Sequence, residues 1–186
     1  MSDHGVPFEA FESIARLSRN CVISEKIDGT NAQVYVGEDG LVLAGSRTRW
    51  ITPESDNMGF ARWVKEHEDE LRTGLGPGRH YGEWWGSGIQ RRYGLTEKRF
   101  SLFNAGRWTD DVRPACCHVV PVLFAGIFTS GAVDETLADL AIEGSRAAPG
   151  FMDPEGVVVY VVAARKLFKK TLKGDEHKGP KDASTP

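Results

Sequence analysis

Several short stretches of the chain carry residue types that could act together on a phosphorylated substrate. In Glu25-Lys26-Ile27-Asp28-Gly29-Thr30-Asn31 a lysine stands two residues before Asp-Gly. The apolar Cys21, Val22 and Ile23 lead into it and alternation from Ala32 to Val36 leads out, which reads as strand, tight turn, strand with Lys26 at a strand end. On their own these residues fit a plain hairpin turning at Asp28-Gly29, with Lys26 guarding its edge; a reactive amine at a strand mouth is the other reading. Tyr81-Gly82-Glu83-Trp84-Trp85-Gly86 sets a carboxylate in an aromatic strand between glycines that permit close backbone approach. In Lys98-Arg99-Phe100-Ser101-Leu102-Phe103-Asn104, alternation puts Phe100 and Leu102 on one side and Ser101 and Phe103 on the other. Asp153-Pro154-Glu155-Gly156 leads an acid-Gly pair into the β-branched Val157, Val158 and Val159, which a simple turn before a strand also explains. Last comes Lys166-Leu167-Phe168-Lys169-Lys170-Thr171-Leu172-Lys173, where Lys166 and Lys170 share parity with Phe168 and Leu172, and Lys169, Thr171 and Lys173 take the other side.

In this order and across residues 21–172, the stretches resemble the motifs of the covalent nucleotidyltransferases. Gly29-Thr30-Asn31 is similar to the RNA ligases of the RNA ligase 2 and RNA-editing type, whereas DNA ligases and capping enzymes usually place Arg two residues after the glycine. The resemblance implies an α+β nucleotidyltransferase (adenylation) domain, mainly antiparallel sheets flanked by helices with a nucleotide cleft between them. It makes Lys26 the nucleophile toward the α-phosphate of ATP, surrounded by Glu25, Asp28, Gly29 and Asn31. Arg47, just after the second hairpin, is matched to an arginine that touches ribose or phosphate. Glu83 is matched to a glutamate at the ribose and metal, Phe103 to an aromatic that stacks on adenine, and Glu155 to the carboxylate that holds a divalent metal. Lys169, with Lys173 second, is matched to the strand lysines that grip the α-phosphate. Asn104 departs from the acid that often follows the stacking aromatic. Oxygen ligands beside phosphate imply Mg2+ or Mn2+ rather than zinc.

The implied reaction runs through a lysyl-AMP phosphoramidate, transfer of AMP to a 5′-phosphate, and sealing by a 3′-hydroxyl, the chemistry of RNA repair. A lysine amine with an ordinary pKa near ~10.4 is mostly protonated at neutrality, so the site has to favour the free amine. Lys169, Lys173 and a bound metal are expected to supply positive charge for this, and Asp28 to balance part of it. The implied partner is RNA with 5′-phosphate and 3′-hydroxyl ends. Little sequence follows the last motif, so a helper protein or domain supplied in trans is expected, with Arg91, Arg92 and the lysine-rich end contributing charge. Ligation of DNA, and a non-catalytic nucleotide or nucleic-acid binding module of the same fold, are the competing readings.

The elements that must position these residues fit within one domain, expected over residues 1–172, with a mobile charged tail over 173–186. Helical spacing of Phe8, Phe11, Ile14, Ala15 and Leu17 predicts a short helix over residues 7–18 behind the first strand. A hairpin is expected between 33–36 and 41–44, a surface helix over 54–71, and strands over 80–85, 100–103 and 119–124. A helix over 134–142 should turn Leu137, Leu140 and Ala141 inward, and strands over 157–162 and 166–172 should pair. With 26% charged and 40% hydrophobic residues among 186, and no apolar run near membrane length, the chain reads as a cytoplasmic protein with no membrane partner. Three cysteines, two of them adjacent, argue for reduced thiols, and Cys116-Cys117-His118 lacks metal-ligand spacing. The net charge of −3 leaves any nucleic-acid contact to local lysine and arginine density.

Overall fold

Period-2 alternation of apolar residues, punctuated by glycine turns, dominates the computed structural model, which describes residues 9–11, 13–14 and 19–174. In chain order come β1 (Asn20–Lys26), β2 (Thr30–Val36), β3 (Val42–Ser46) and β4 (Trp50–Ile51). Helices α1 (Phe60–Glu66) and α2 (Glu68–Leu75) follow, then β5 (Gly78–Gly86), β6 (Lys98–Leu102) and β7 (His118–Val119). The rest is β8 (Val122–Ile127), α3 (Ser130–Glu143), β9 (Gly156–Val161) and β10 (Lys166–Thr171).

The strands form two sheets, a four-stranded one ordered β10-β9-β1-β8 and a six-stranded one ordered β4-β3-β2-β5-β6-β7. Every pairing is antiparallel except β6 with β7, so the fold is α+β as the resemblance implies. Helices α1 and α2 cover one face of the larger sheet, where Phe60, Val64, Leu71 and Leu75 pack on Val34, Trp84, Phe100 and Leu102. Helix α3 covers the outer face of the smaller sheet through Val133 and Leu140 against Cys21, Ile23, Val157 and Val159. Each such side chain contributes roughly 1.5–3 kcal/mol by leaving water. The opposite face of each sheet is thereby left to line a cleft.

Two short crossings join the sheets. The chain leaves the small sheet at β1, passes through Ile27, Asp28 and Gly29, and enters the large sheet at β2, so the Lys26 turn is not a hairpin. It returns through Val120 and Pro121, which split the single strand expected over 119–124 into β7 and β8 in different sheets. This return is stitched to both sheets: Val120 N–H donates to Leu102 O at 3.1 Å, and Pro121 O accepts from Glu25 N–H at 2.9 Å.

Three further expectations change. The helix expected over 54–71 starts only at Phe60, because Met58 and Gly59 have φ of 53° and 84° and the Asp56 carboxylate caps Ala61 N–H at 2.8 Å. It also breaks at His67 before resuming as α2. In α3, Val133, Thr136 and Leu140 are buried and Leu137 packs beside them, but Ala141 is exposed. The helix expected over 7–18 lies largely outside the described residues, and its described positions Phe11 and Ile14 are exposed and non-helical. Residues 175–186 of the expected tail also lie outside the described part.

Glu25 was matched to the nucleotide site, but its carboxylate points away from the cleft. Alternation along β1 turns it toward α3, where it is 1% exposed and accepts from Ser145 Oγ at 2.5 Å, Arg146 N–H at 2.8 Å and Ala147 N–H at 2.9 Å. Burial nevertheless raises its carboxyl above the usual glutamate range. It therefore clamps the loop after α3 onto the strand that carries Lys26. Glu25→Gln is expected to lower folding stability by about 1–3 kcal/mol, since at least one buried donor loses its charged acceptor; urea unfolding checks this.

Candidate active site

The two crossings meet beneath a small apolar cluster of Ile27, Trp85, Tyr93, Val120 and Ala148. Burying Ile27 in it leaves Lys26 pointing from the end of β1 into a cleft of about 620 Å³ between the sheets. Ser24, Lys26, Val158, Leu167 and Lys169 line it from the small sheet, and Asn31, Arg47, Glu83 and Phe103 from the large sheet and its hairpin end. The hard constraint is the turn itself. A side chain at Gly29 would stand 2.5 Å from Trp84 O and 2.7 Å from Trp85 Cβ, so only glycine allows this approach.

Charge inside the cleft is paired. Lys26 Nζ donates to Glu155 Oε2 at 2.5 Å, with side chains only 23% and 18% exposed. Glu83, on the facing sheet, accepts from Gly29 N–H at 3.1 Å and Asn31 Nδ2 at 3.4 Å. At 8% exposure, burial pushes the Glu83 carboxyl up to about 7, against the pull of Lys26. Asp28 N–H donates to the Tyr93 hydroxyl at 2.7 Å, and its carboxylate accepts from Arg91 Nε at 3.0 Å.

Sequence-derived site residues mostly converge. Lys26, Asp28, Gly29, Asn31, Arg47, Glu83, Phe103 and Lys169 line this one cleft, and Glu155 joins through Lys26; of Glu25, the backbone alone can serve it. Phe100 lies in the core while Phe103 is 41% exposed in the cleft, as their opposite parity demands. The last strand sorts the same way: Lys169 faces the cleft, and Lys170 reaches Asp134 on α3. Lys173 does not line the cleft. It pairs with Asp153 at 2.7 Å and is 74% exposed, because the chain has left β10 by that point. Nor is Lys26 bordered mainly by cations; its partner is the Glu155 carboxylate.

Several cleft residues went unnoticed in sequence. Val158 could have been found from its parity with Gly156 on β9, but nothing local marks Leu167, nor Tyr93 beneath the Lys26 turn. Arg91, expected to serve RNA, is instead committed to Asp28 and Asp153. No cluster of three His, Cys, Asp or Glu side chains capable of holding a metal exists among the described residues. Glu155 and Glu83 supply oxygen donors from opposite walls, which suits a hard cation held by one or two carboxylates with phosphate oxygens completing its shell.

Comparison with known proteins agrees with this geometry. Residues 19–173 match the RNA ligase family model, and the chain belongs to that family. Among solved structures it is similar to RNA ligase from Naegleria gruberi. One variant solved with AMP and Mn has 19% identity and a TM-score of 0.57 over 82% of this chain and 49% of that one. Another, with ATP and Mn, has 17% identity and a TM-score of 0.60 over 82% and 50%. The chain thus spans about half the length of those proteins, and no curated protein sequence matches it.

Two outcomes test the site. Glu83 has a raised carboxyl in the fold, so stability it contributes is present below about pH 4.5 and lost as pH rises to about 7. Glu83→Gln is therefore expected to gain on wild type by up to the order of 3 kcal/mol between pH 5 and 8, read from urea unfolding at each pH. Gly29→Ala is expected to cost about 1–3 kcal/mol through overpacking against Trp84 and Trp85, seen as a lower unfolding midpoint.

Proposed function

We propose that this chain is the adenylation domain of an ATP-dependent RNA ligase. The observation that carries the reading is the Lys26–Glu155 pair at the strand ends of a cleft that also holds Glu83, Phe103 and Lys169. Membership of the RNA ligase family, and the ATP, AMP and Mn present in structurally similar proteins, support it.

Lys26 attacks the α-phosphorus of ATP: an N–P bond forms, the bond to the bridging oxygen breaks, and pyrophosphate leaves. Lys26 must first give up its ion pair with Glu155 and pass a proton to solvent water at the cleft mouth. A divalent cation held through Glu155 and Glu83 would draw Glu155 away and neutralise phosphate charge. Phe103 and Val158 offer apolar faces to the adenine from opposite walls, Arg47 and Asn31 polar groups to ribose or phosphate, and Lys169 a cation to the charge developing on the α-phosphate. The AMP then passes to an RNA 5′-phosphate, and a 3′-hydroxyl displaces it to seal the strand. A helper protein or further domain holds the RNA. Three unbonded cysteines support a reducing, cytoplasmic setting, and no described helix is long and apolar enough to cross a membrane.

Incubation with α-labelled ATP and Mg2+ or Mn2+ is expected to leave acid-stable label on the protein, abolished in Lys26→Ala. Lys169→Ala should slow labelling roughly 10²-fold or more, whereas Lys170→Ala, which faces α3, should stay within about threefold of wild type, a margin small beside that loss. No label with any nucleoside triphosphate would sink the reading; label without sealing of 5′-phosphate and 3′-hydroxyl RNA ends would restrict it to adenylation.

A further inference from the structure

The segment between β5 and β6 is backbone-strained in a way the cleft chemistry above does not use. Gln90, Arg92 and Tyr93, none of them glycine, have φ of 41°, 60° and 52°. Three left-handed residues within four positions persist only where the surroundings over-determine them, and such strain gathers at functional sites. Here the surroundings are specific. Ile89 is fully buried, and Tyr93 is 2% exposed, edge-on to Trp85 at 4.9 Å and against Phe151 at 4.6 Å. The contorted path brings two side chains of this segment to the Lys26 turn.

The Tyr93 hydroxyl accepts from Asp28 N–H at 2.7 Å. Arg91 does more, because its fork spans two loops: Nε donates to Asp28 Oδ2 at 3.0 Å, and Nη1 donates to Asp153 Oδ2 at 2.6 Å and Asp153 O at 3.1 Å. Asp28 lies two residues after Lys26, and Asp153 two residues before Glu155. The ladder between β1 and β9 ends at the pair Lys26 and Gly156, so beyond it no strand pairing sets the spacing of the two chains. The bridge stands where that pairing stops.

We propose that Arg91 is a positioning residue for the adenylation step, tying the Lys26 turn to the Glu155 loop and so setting the separation of nucleophile and carboxylate. This rests on Lys26 being the adenylated residue. Arg91 does not itself line the nucleotide cleft, and its carboxylate partners are partly exposed, so its effect falls on geometry rather than on fold stability. A planar guanidinium can hold both carboxylates at once, whereas a lysine ammonium acts as a point charge.

The test is single-turnover labelling of the full chain with α-labelled ATP and Mg2+, across ATP concentrations, for wild type, Arg91→Ala, Arg91→Lys, Asp153→Asn and Arg91→Ala/Asp153→Asn, with thermal unfolding alongside. Misplacement of reacting groups by about an ångström costs up to ~10²-fold. Arg91→Ala is therefore expected to lower the maximal labelling rate roughly 10- to 100-fold while the ATP concentration for half-maximal rate moves less than about threefold. Asp153→Asn, a change at a half-exposed site that keeps side-chain volume, should slow labelling in the same direction and serves as the test should Arg91→Ala not fold. The double variant should be no slower than Arg91→Ala, and Arg91→Lys should recover little. Wild-type labelling by both single variants, losses that multiply, full recovery by lysine, or a rate loss matched by weaker ATP use would each overturn the positioning role. Loss confined to sealing of pre-adenylated RNA would overturn it in favour of an RNA contact. Absence of label on wild type would overturn the Lys26 reading as well, whereas label on wild type with undiminished Arg91 and Asp153 variants would overturn the positioning role alone.

Discussion

Everything at the cleft depends on how the chain passes from one sheet to the other through Ile27, Asp28 and Gly29. Each of the three is restrained differently. Ile27 is buried in the apolar cluster between the sheets, Asp28 is bonded through both its N–H and its carboxylate, and Gly29 is pressed against Trp84 and Trp85 while donating to Glu83. A three-residue crossing with no freedom in any residue turns two sheets into the walls of one site. It also determines where the Lys26 amine emerges. The return crossing at Val120 and Pro121 packs on the same cluster, so both connections between the sheets share one point of support.

Electrostatics then decides the resting state. Glu83, Glu155 and Asp28 crowd around one lysine and one arginine, and burial, with Glu155 and Asp28 nearby, raises the proton affinity of Glu83. The most buried of them, Glu83, stays near its titration point at neutral pH, while Lys26 and Glu155 neutralise each other. Such an arrangement is stable without ligand yet primed for exchange.

The chain belongs to the RNA ligase family, shares its fold with the Naegleria gruberi RNA ligase and corresponds to about half the length of that protein. The cleft described here brings Lys26, Glu83, Phe103 and Lys169 together, with Glu155 paired to Lys26. Arg91, once its two carboxylate partners are seen, leaves the pool of unpaired basic residues.

Local pattern by itself determined most strands and the side on which the residues singled out by the resemblance stand. Lys26, Phe103 and Glu155 sit at or beside strand ends and Glu83 within β5, where period-2 alternation and glycine placement are legible, and the parity of Phe100 against Phe103 and of Lys169 against Lys170 followed from the same rule. Parity along β1 likewise contained the information that Glu25 faces away from Lys26, although motif matching alone assigned it to the nucleotide. Only the tertiary structure decided that the Lys26 turn bridges two sheets, that residues 119–124 divide between them, and that Arg91 and Tyr93 hold the turn. Side-chain alternation is a property of neighbouring residues and is written in the sequence. Which strands pair, and which distant loops a guanidinium spans, depends on contacts tens of residues apart, such as Arg91 with Asp28 and Asp153, whose energies exist only once the chain has folded.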